Sequence, residues 1–159
     1  MFEWLSNTEY ALWVQASWGW PLALTIHAFG NAVIVGFIMI ICLRLLGLFR
    51  TIPYTSLNRL IPYMWVAFVF QVYSGVTLWM TKPDKYLSAG MFEAKLSFVI
   101  LGAVLTWYFQ NVLKQEAAVW QASGTVSSRG VKFVCATALA WAGVLTTGRL
   151  TAYLGSLYS

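Results

Sequence analysis

Charge is what this chain has least of. Its 159 residues include ten Lys or Arg, five Asp or Glu and a single His. Charged residues make up 9% and hydrophobic ones 60%, with a mean hydropathy of +0.70. A water-soluble domain carries about a quarter charged residues, so that class is excluded. The basic residues are scattered singly, and without a run of four or more there is no patch to grip nucleic acid or a polyphosphate lipid. Cysteine is scarce too. Cys42 and Cys135 lie in apolar stretches with no CxxC or c-type haem attachment signature, and read as packing residues. The N-terminal MFEWLSNTEY lacks the basic n-region of a signal peptide. Also missing are a nucleophile elbow, a Walker loop, HExxH and any carboxylate pair inside a span. No span is broken at mid-membrane as transporter sites require.

What remains is long uncharged sequence. Residues 10–43, 60–81, 96–113 and 133–148 contain no Asp, Glu, Lys or Arg, and a helix needs about 20 residues to cross the hydrocarbon core. The pattern predicts an all-α, integral membrane four-helix bundle. Residues 1–19 are expected to form an interfacial helical segment, and 20–155 the bundle, with Pro21 opening the first span. The other spans are expected over about 60–81, 91–113 and 131–153, joined by a turn-rich RTIPYTSLNR, a short PDKYLSAG and a longer, partly helical KQEAAVWQASGTVSSR.

Basic residues give the direction. Arg44, Arg50, Arg59, Lys114, Arg129 and Lys132 flank loops one and three, against Lys82, Lys85, Lys95 and Arg149 on the other side. Both termini are therefore expected outside, with loops one and three in the cytoplasm. Trp4, Trp13, Trp18, Trp20 and Trp79 would then form an aromatic belt at the outer interface. Small-residue stripes Ala28-Ala32-Gly36, Ala136-Ala140 and Ala138-Ala142 offer helix-packing faces, including faces between copies in a homo-oligomer. Arg44 is expected to cap the cytoplasmic end of span one.

The functional signal is His27, a titratable ring about a quarter of the way into the first span. An intramembrane ionisable group is by default a candidate site. Asn31 follows one turn later on the same face. Span two supplies Gln71, Ser74 and Gly75 on one face, and span four Thr146, Arg149 and Tyr153. Lys95 and Arg149 fall at or just inside the outer boundary: a span four ending at Arg149 would have about 16 uncharged residues, about 24 Å at 1.5 Å each. A mid-membrane charge costs about 2.5–3.5 kcal/mol on insertion scales, so both call for a counter-charge.

This constellation suits b-type haem. An imidazole would hold iron, Gly30 and Gly75 would leave room for the ring, and Lys95 with Arg149 would meet propionates. Asn31, Gln71 or a carbonyl would fix the imidazole tautomer. The second axial position would fall to Lys95, Met80, Met91, a partner subunit or nothing. Other readings stay open beside it. An intramembrane His also bridges helices structurally, Lys95 and Arg149 can snorkel, and Glu93 can neutralise Lys95.

Several short runs carry a resemblance: His27-Ala28-Phe29-Gly30 with Arg44-Leu45-Leu46-Gly47, Ser74-Gly75, Phe92-Glu93-Ala94-Lys95-Leu96, and Gly148-Arg149-Leu150-Thr151-Ala152-Tyr153. Together, over about residues 20–155, the chain resembles an uncharacterised family of small four-helix bacterial membrane proteins. The order of His in span one, Gly late in span two and Lys opening span three is more distantly similar to two other groups. These are the membrane domain of the copper-resistance D family and the haem-associated, oxygen-independent protoporphyrinogen oxidases of bacteria. In the latter a span-one His and a span-three Lys are the functional pair, mapping onto His27 and Lys95. The resemblance implies a bacterial inner-membrane protein in contact with lipid, holding haem and serving electron transfer or redox chemistry with a quinone, porphyrinogen or periplasmic partner. Copper handling is the alternative from the first group, although soft ligands in the outer half reduce to Met80, Met91 and His27. A cofactor-free assembly subunit is the third.

Overall fold

The computed structural model describes the backbone of residues 2–87 and 90–157, and the side chains of these except Lys85 and 152–157. Two short helices, α1 (Glu3–Ser6) and α2 (Glu9–Ala16), precede α3 (Gly19–Leu45); α4 (Ile61–Thr81), α5 (Pro83–Leu87), α6 (Met91–Ser123) and α7 (Ser128–Leu157) follow. The loop after α3 contains a 3-10 helix, Tyr54–Arg59. Four of these helices are long and apolar enough to cross a membrane, and the protein is an all-α membrane bundle.

Local chemistry sets the boundaries. Pro21 lies inside the first turn of α3, where its missing N–H would have no partner anyway. Thr8 caps α2, its hydroxyl accepting from the Ala11 N–H at 3.3 Å. The helix containing span three runs ten residues past the uncharged stretch, to Ser123, because KQEAAVWQAS is rich in helix formers although too polar for hydrocarbon. It stops at Gly124, in the left-handed conformation with φ 69°, whose N–H bonds the Trp120 carbonyl.

Loop one is organised by a buried cation. Arg44 is only 5% exposed. Its Nε donates to the Ile52 carbonyl at 2.6 Å and Nη2 to that of Arg50 at 3.5 Å, while the guanidinium lies 3.8 Å from the Tyr54 ring centroid. Arg44 was expected to cap the end of span one; its hydrogen bonds go to carbonyls of the following loop instead, holding that loop against the end of α3.

The packing is unequal along the bundle. The apolar core is built from Ile34, Ile38 and Ile41 of α3, Met64 of α4, Phe109 and Leu113 of α6, and Trp141 of α7, continued by Tyr54 and Leu57 of loop one. All of this lies from mid-bundle toward the loop-one end. The half beneath α1 and α2 holds the buried Gln71, Ser74, Thr77 and Thr81 of α4. Around the bundle α4 packs on α3, α3 on α7 and α7 on α6. The ring is not closed, because α4 and α6 make little direct contact. A Trp65 Nε1–H to Gln110 Oε1 hydrogen bond of 3.0 Å ties them near the loop-one end.

The span-four small-residue stripe is partly used inside the bundle, with Ala140 buried. That of span one faces outward: Ala28 and Ala32 are exposed, and a Cβ on Gly36 would meet nothing within 4 Å.

Candidate functional site

Three spans converge on His27. The α3 helix presents it one turn before Asn31, and α4 supplies Gln71, Ser74 and Gly75 from its buried face. From across the seam α6 supplies Lys95, four residues into the helix. His27 Nε2 lies 3.0 Å from Gln71 Nε2 and 3.5 Å from Lys95 Nζ, while Nδ1 lies 3.1 Å from Ser74 Oγ. Both atoms facing Nε2 are nitrogen donors, so Nε2 is the acceptor. The ring proton is therefore on Nδ1, donated to Ser74 Oγ. Ser74, fully buried, donates its own hydrogen bond to the Phe70 carbonyl at 2.7 Å. With the Gln71 amide nitrogen turned to the ring, these bonds assign a neutral imidazole with its lone pair on Nε2.

Close approach makes this possible. A Cβ on Gly75 would stand 3.3 Å from His27 Cε1, and one on Gly30 would stand 2.7 Å from Gln71 Oε1 and 3.2 Å from the Ala67 carbonyl oxygen. Gly75 and Gly30, read from sequence as room for a ring, bring the imidazole and the Gln71 amide against the opposing helices. Lys95 reaches past Gly148, where a Cβ would lie 3.6 Å from its Cε.

Beside this cluster the seam between α4 and α6 forms a cavity of about 370 Å³, lined by His27, Gln71, Gly75, Trp79, Phe92 and Lys95 among others, within the size range of small-molecule and cofactor sites. Its rim includes the exposed Val72, Val76 and Leu96. Leu87 of α5 closes part of the other end. Just beyond, Tyr86 packs on Phe92 with ring centroids 6.0 Å apart, and burial pushes its hydroxyl above the ordinary phenol range.

Several expectations need amending. Arg149 is exposed and does not line the cavity. Tyr153 lies outside the described side chains. Asn31 is half-buried and makes no hydrogen bond through Oδ1, so it does not anchor the His27 ring. Glu93 is exposed, and among the described residues no carboxylate lies within ion-pair distance of Lys95. Trp4, Trp13, Trp18 and Trp20 are exposed as a belt requires, whereas Trp79 forms part of the cavity wall. Sequence reasoning missed that inward turn. The available signal was spacing: Trp79 follows Gln71 and Gly75 at four-residue intervals, on the same face.

Among the described residues no three His, Cys, Asp or Glu side chains gather to hold a bare metal ion. Comparison with family models, with curated proteins and with solved structures gave no match.

Proposed function

We propose that the protein is a b-type haem protein of the bacterial inner membrane, acting in electron transfer or membrane redox chemistry, in which His27 would hold the iron. The observation that carries this reading is the state of the imidazole. Metal-ligating histidines characteristically donate their other ring N–H to a fixed acceptor. Here Nδ1–H is anchored on buried Ser74, and Nε2, facing Gln71 and Lys95, belongs to a ring that lines an apolar cavity. The residues present fit the group. Among the described residues no carboxylate lies within ion-pair distance of Lys95, whose Nζ, 3.5 Å from Nε2, would offer the iron a second nitrogen. Gln71, on a flexible side chain, would give up its bond to Nε2. Bound haem supplies one-electron chemistry at its iron. The protein's part is to hold a neutral, oriented imidazole, to keep water from it, and to leave one side open to the bilayer for a quinone, porphyrinogen or protein partner. The bias of basic residues supports termini on the outer side, and with that topology the site would lie in the outer leaflet.

The test is a visible spectrum of detergent-purified protein. A Soret band is expected, lost in His27→Ala and retained with altered ligand-field bands in Lys95→Met. A wild-type protein without a Soret band after incubation with haem overturns the proposal. A cofactor-free bundle subunit is the competing reading, favoured by the fact that both ring nitrogens already have partners. It requires that His27→Ala change stability alone.

A further inference from the structure

The two cysteines, read from sequence as separate packing residues, meet. Cys42 lies on the buried face of α3 with Ile38, Ile41 and Leu45, and is 7% exposed. Cys135 is half-buried on α7 and packs against the same core. As first and fourth spans, α3 and α7 run antiparallel, and their register brings the two residues level. Ile34 and Trp141 line one small internal cavity. From there Cys42 lies eight residues on along α3 and Cys135 six residues back along α7, about 12 Å and about 9 Å at 1.5 Å per residue. The side chains complete the approach: the Cys135 thiol reaches that of Cys42, and the two interact directly.

Burial sorts what such a pair can do. A lone thiolate, or two thiolates around a monovalent soft cation, would leave net charge in apolar surroundings, which is costly without a partner. Among the described residues no third His, Cys, Asp or Glu joins the pair to complete a metal site. A disulfide carries no charge and fits where the thiols already pack. We infer that Cys42 and Cys135 form a reversible dithiol–disulfide couple across the α3–α7 interface, with a lipid-soluble quinone as its oxidant. In that step both S–H bonds break and one S–S bond forms, while two electrons and two protons pass to the quinone, which leaves as quinol. Approach is from the bilayer, since Leu139, one turn past Cys135 on the same face, is 73% exposed. With loops one and three in the cytoplasm the pair would lie toward the inner leaflet, where a protein disulfide is transient and not structural. His27 stands fifteen residues away along α3, about 22 Å, so the couple is independent of the haem reading.

The experiment uses the full chain, reduced, freed of reductant and kept anaerobic in detergent, with a short-chain ubiquinone analogue as oxidant. Free thiols are then blocked with N-ethylmaleimide in denaturant and the intact mass is read. Wild-type protein is expected to lose both alkylatable thiols while forming one quinol per chain, and to regain both thiols with dithiothreitol. A tryptic digest should join the peptide holding Cys42 to the one holding Cys135, and a non-reducing denaturing gel should show a single chain. Cys42→Ser and Cys135→Ser should each keep the remaining thiol and form quinol at least about tenfold more slowly, because exchange into a disulfide needs the second sulfur. Two thiols still alkylatable after excess quinone overturn the inference, even if diamide links them. So do covalent dimers joined through cysteine, or a quinone adduct on one sulfur. A Soret band, present or absent, bears on His27 alone and leaves this result untouched.

Discussion

Two glycines on α3, six residues apart, should respond oppositely to the same substitution. At Gly30 an added Cβ would lie 2.7 Å from Gln71 Oε1, 3.2 Å from Gln71 Cβ and 3.2 Å from the Ala67 carbonyl oxygen. The amide oxygen can swing away, but Ala67 O belongs to the α4 backbone, so α3 and α4 must also part by a few tenths of an ångström. Overpacking of this kind costs about 1–3 kcal/mol, set against a helix-propensity gain of up to about 1 kcal/mol for replacing Gly. At Gly36 the new methyl meets nothing within 4 Å, so only the propensity gain applies. Gly30→Ala should therefore lower stability by about 1–2 kcal/mol and Gly36→Ala raise it by about 0.5–1 kcal/mol. Thermal unfolding in detergent, followed by circular dichroism, measures the difference; a shift of about 2–4 °C per kcal/mol is expected at this size. Gly30→Ala should also loosen the Gln71–His27 bond and change ligand binding at the cavity, which Gly36→Ala should not. Equal shifts of the same sign would refute the close α3–α4 contact on which the position of Gln71 depends.

Other outcomes follow from single contacts. Ser74→Ala strands the His27 Nδ1–H, so it should cost about 1–3 kcal/mol and weaken haem binding by about an order of magnitude, with Ser74→Thr restoring part of both in the same spectral titration. Arg44→Met removes the donor to the Ile52 and Arg50 carbonyls; it should loosen loop one and speed tryptic cleavage after exposed Arg50, while wild-type protein resists. Gly124→Ala should destabilise by about 1–2 kcal/mol through its left-handed backbone alone, and Gly124→Asn by less, as read by denaturation midpoints.

The four spans were legible because hydrocarbon imposes a simple rule: no charge over about 20 residues. That rule reports the membrane, not the helix, which is why the uncharged window ended ten residues before α6 did. The core of the site was legible for the same reason. His27, Gln71 and Ser74 are polar groups with no business in lipid unless they meet one another, and helical spacing put Gln71 and Ser74 on one face. Lys95 followed from the shortness of its span. Rotation about the helix axis was not legible in the other cases. Arg149 has the same boundary position as Lys95, yet it faces outward, and only packing against α6 distinguishes them. Trp79 sits three residues before Lys82 and so reads as an interfacial anchor. Its inward turn depends on the seam left between α4 and α6, which no local pattern in either helix encodes.

That seam has a kinetic consequence. Because its rim of Val72, Val76 and Leu96 is exposed along the flank of the bundle, a molecule bound there would arrive sideways, already dissolved among acyl chains, instead of descending from water. Occupancy should then track how strongly a compound partitions into the bilayer, and a soluble analogue of identical shape would arrive slowly however well it fits.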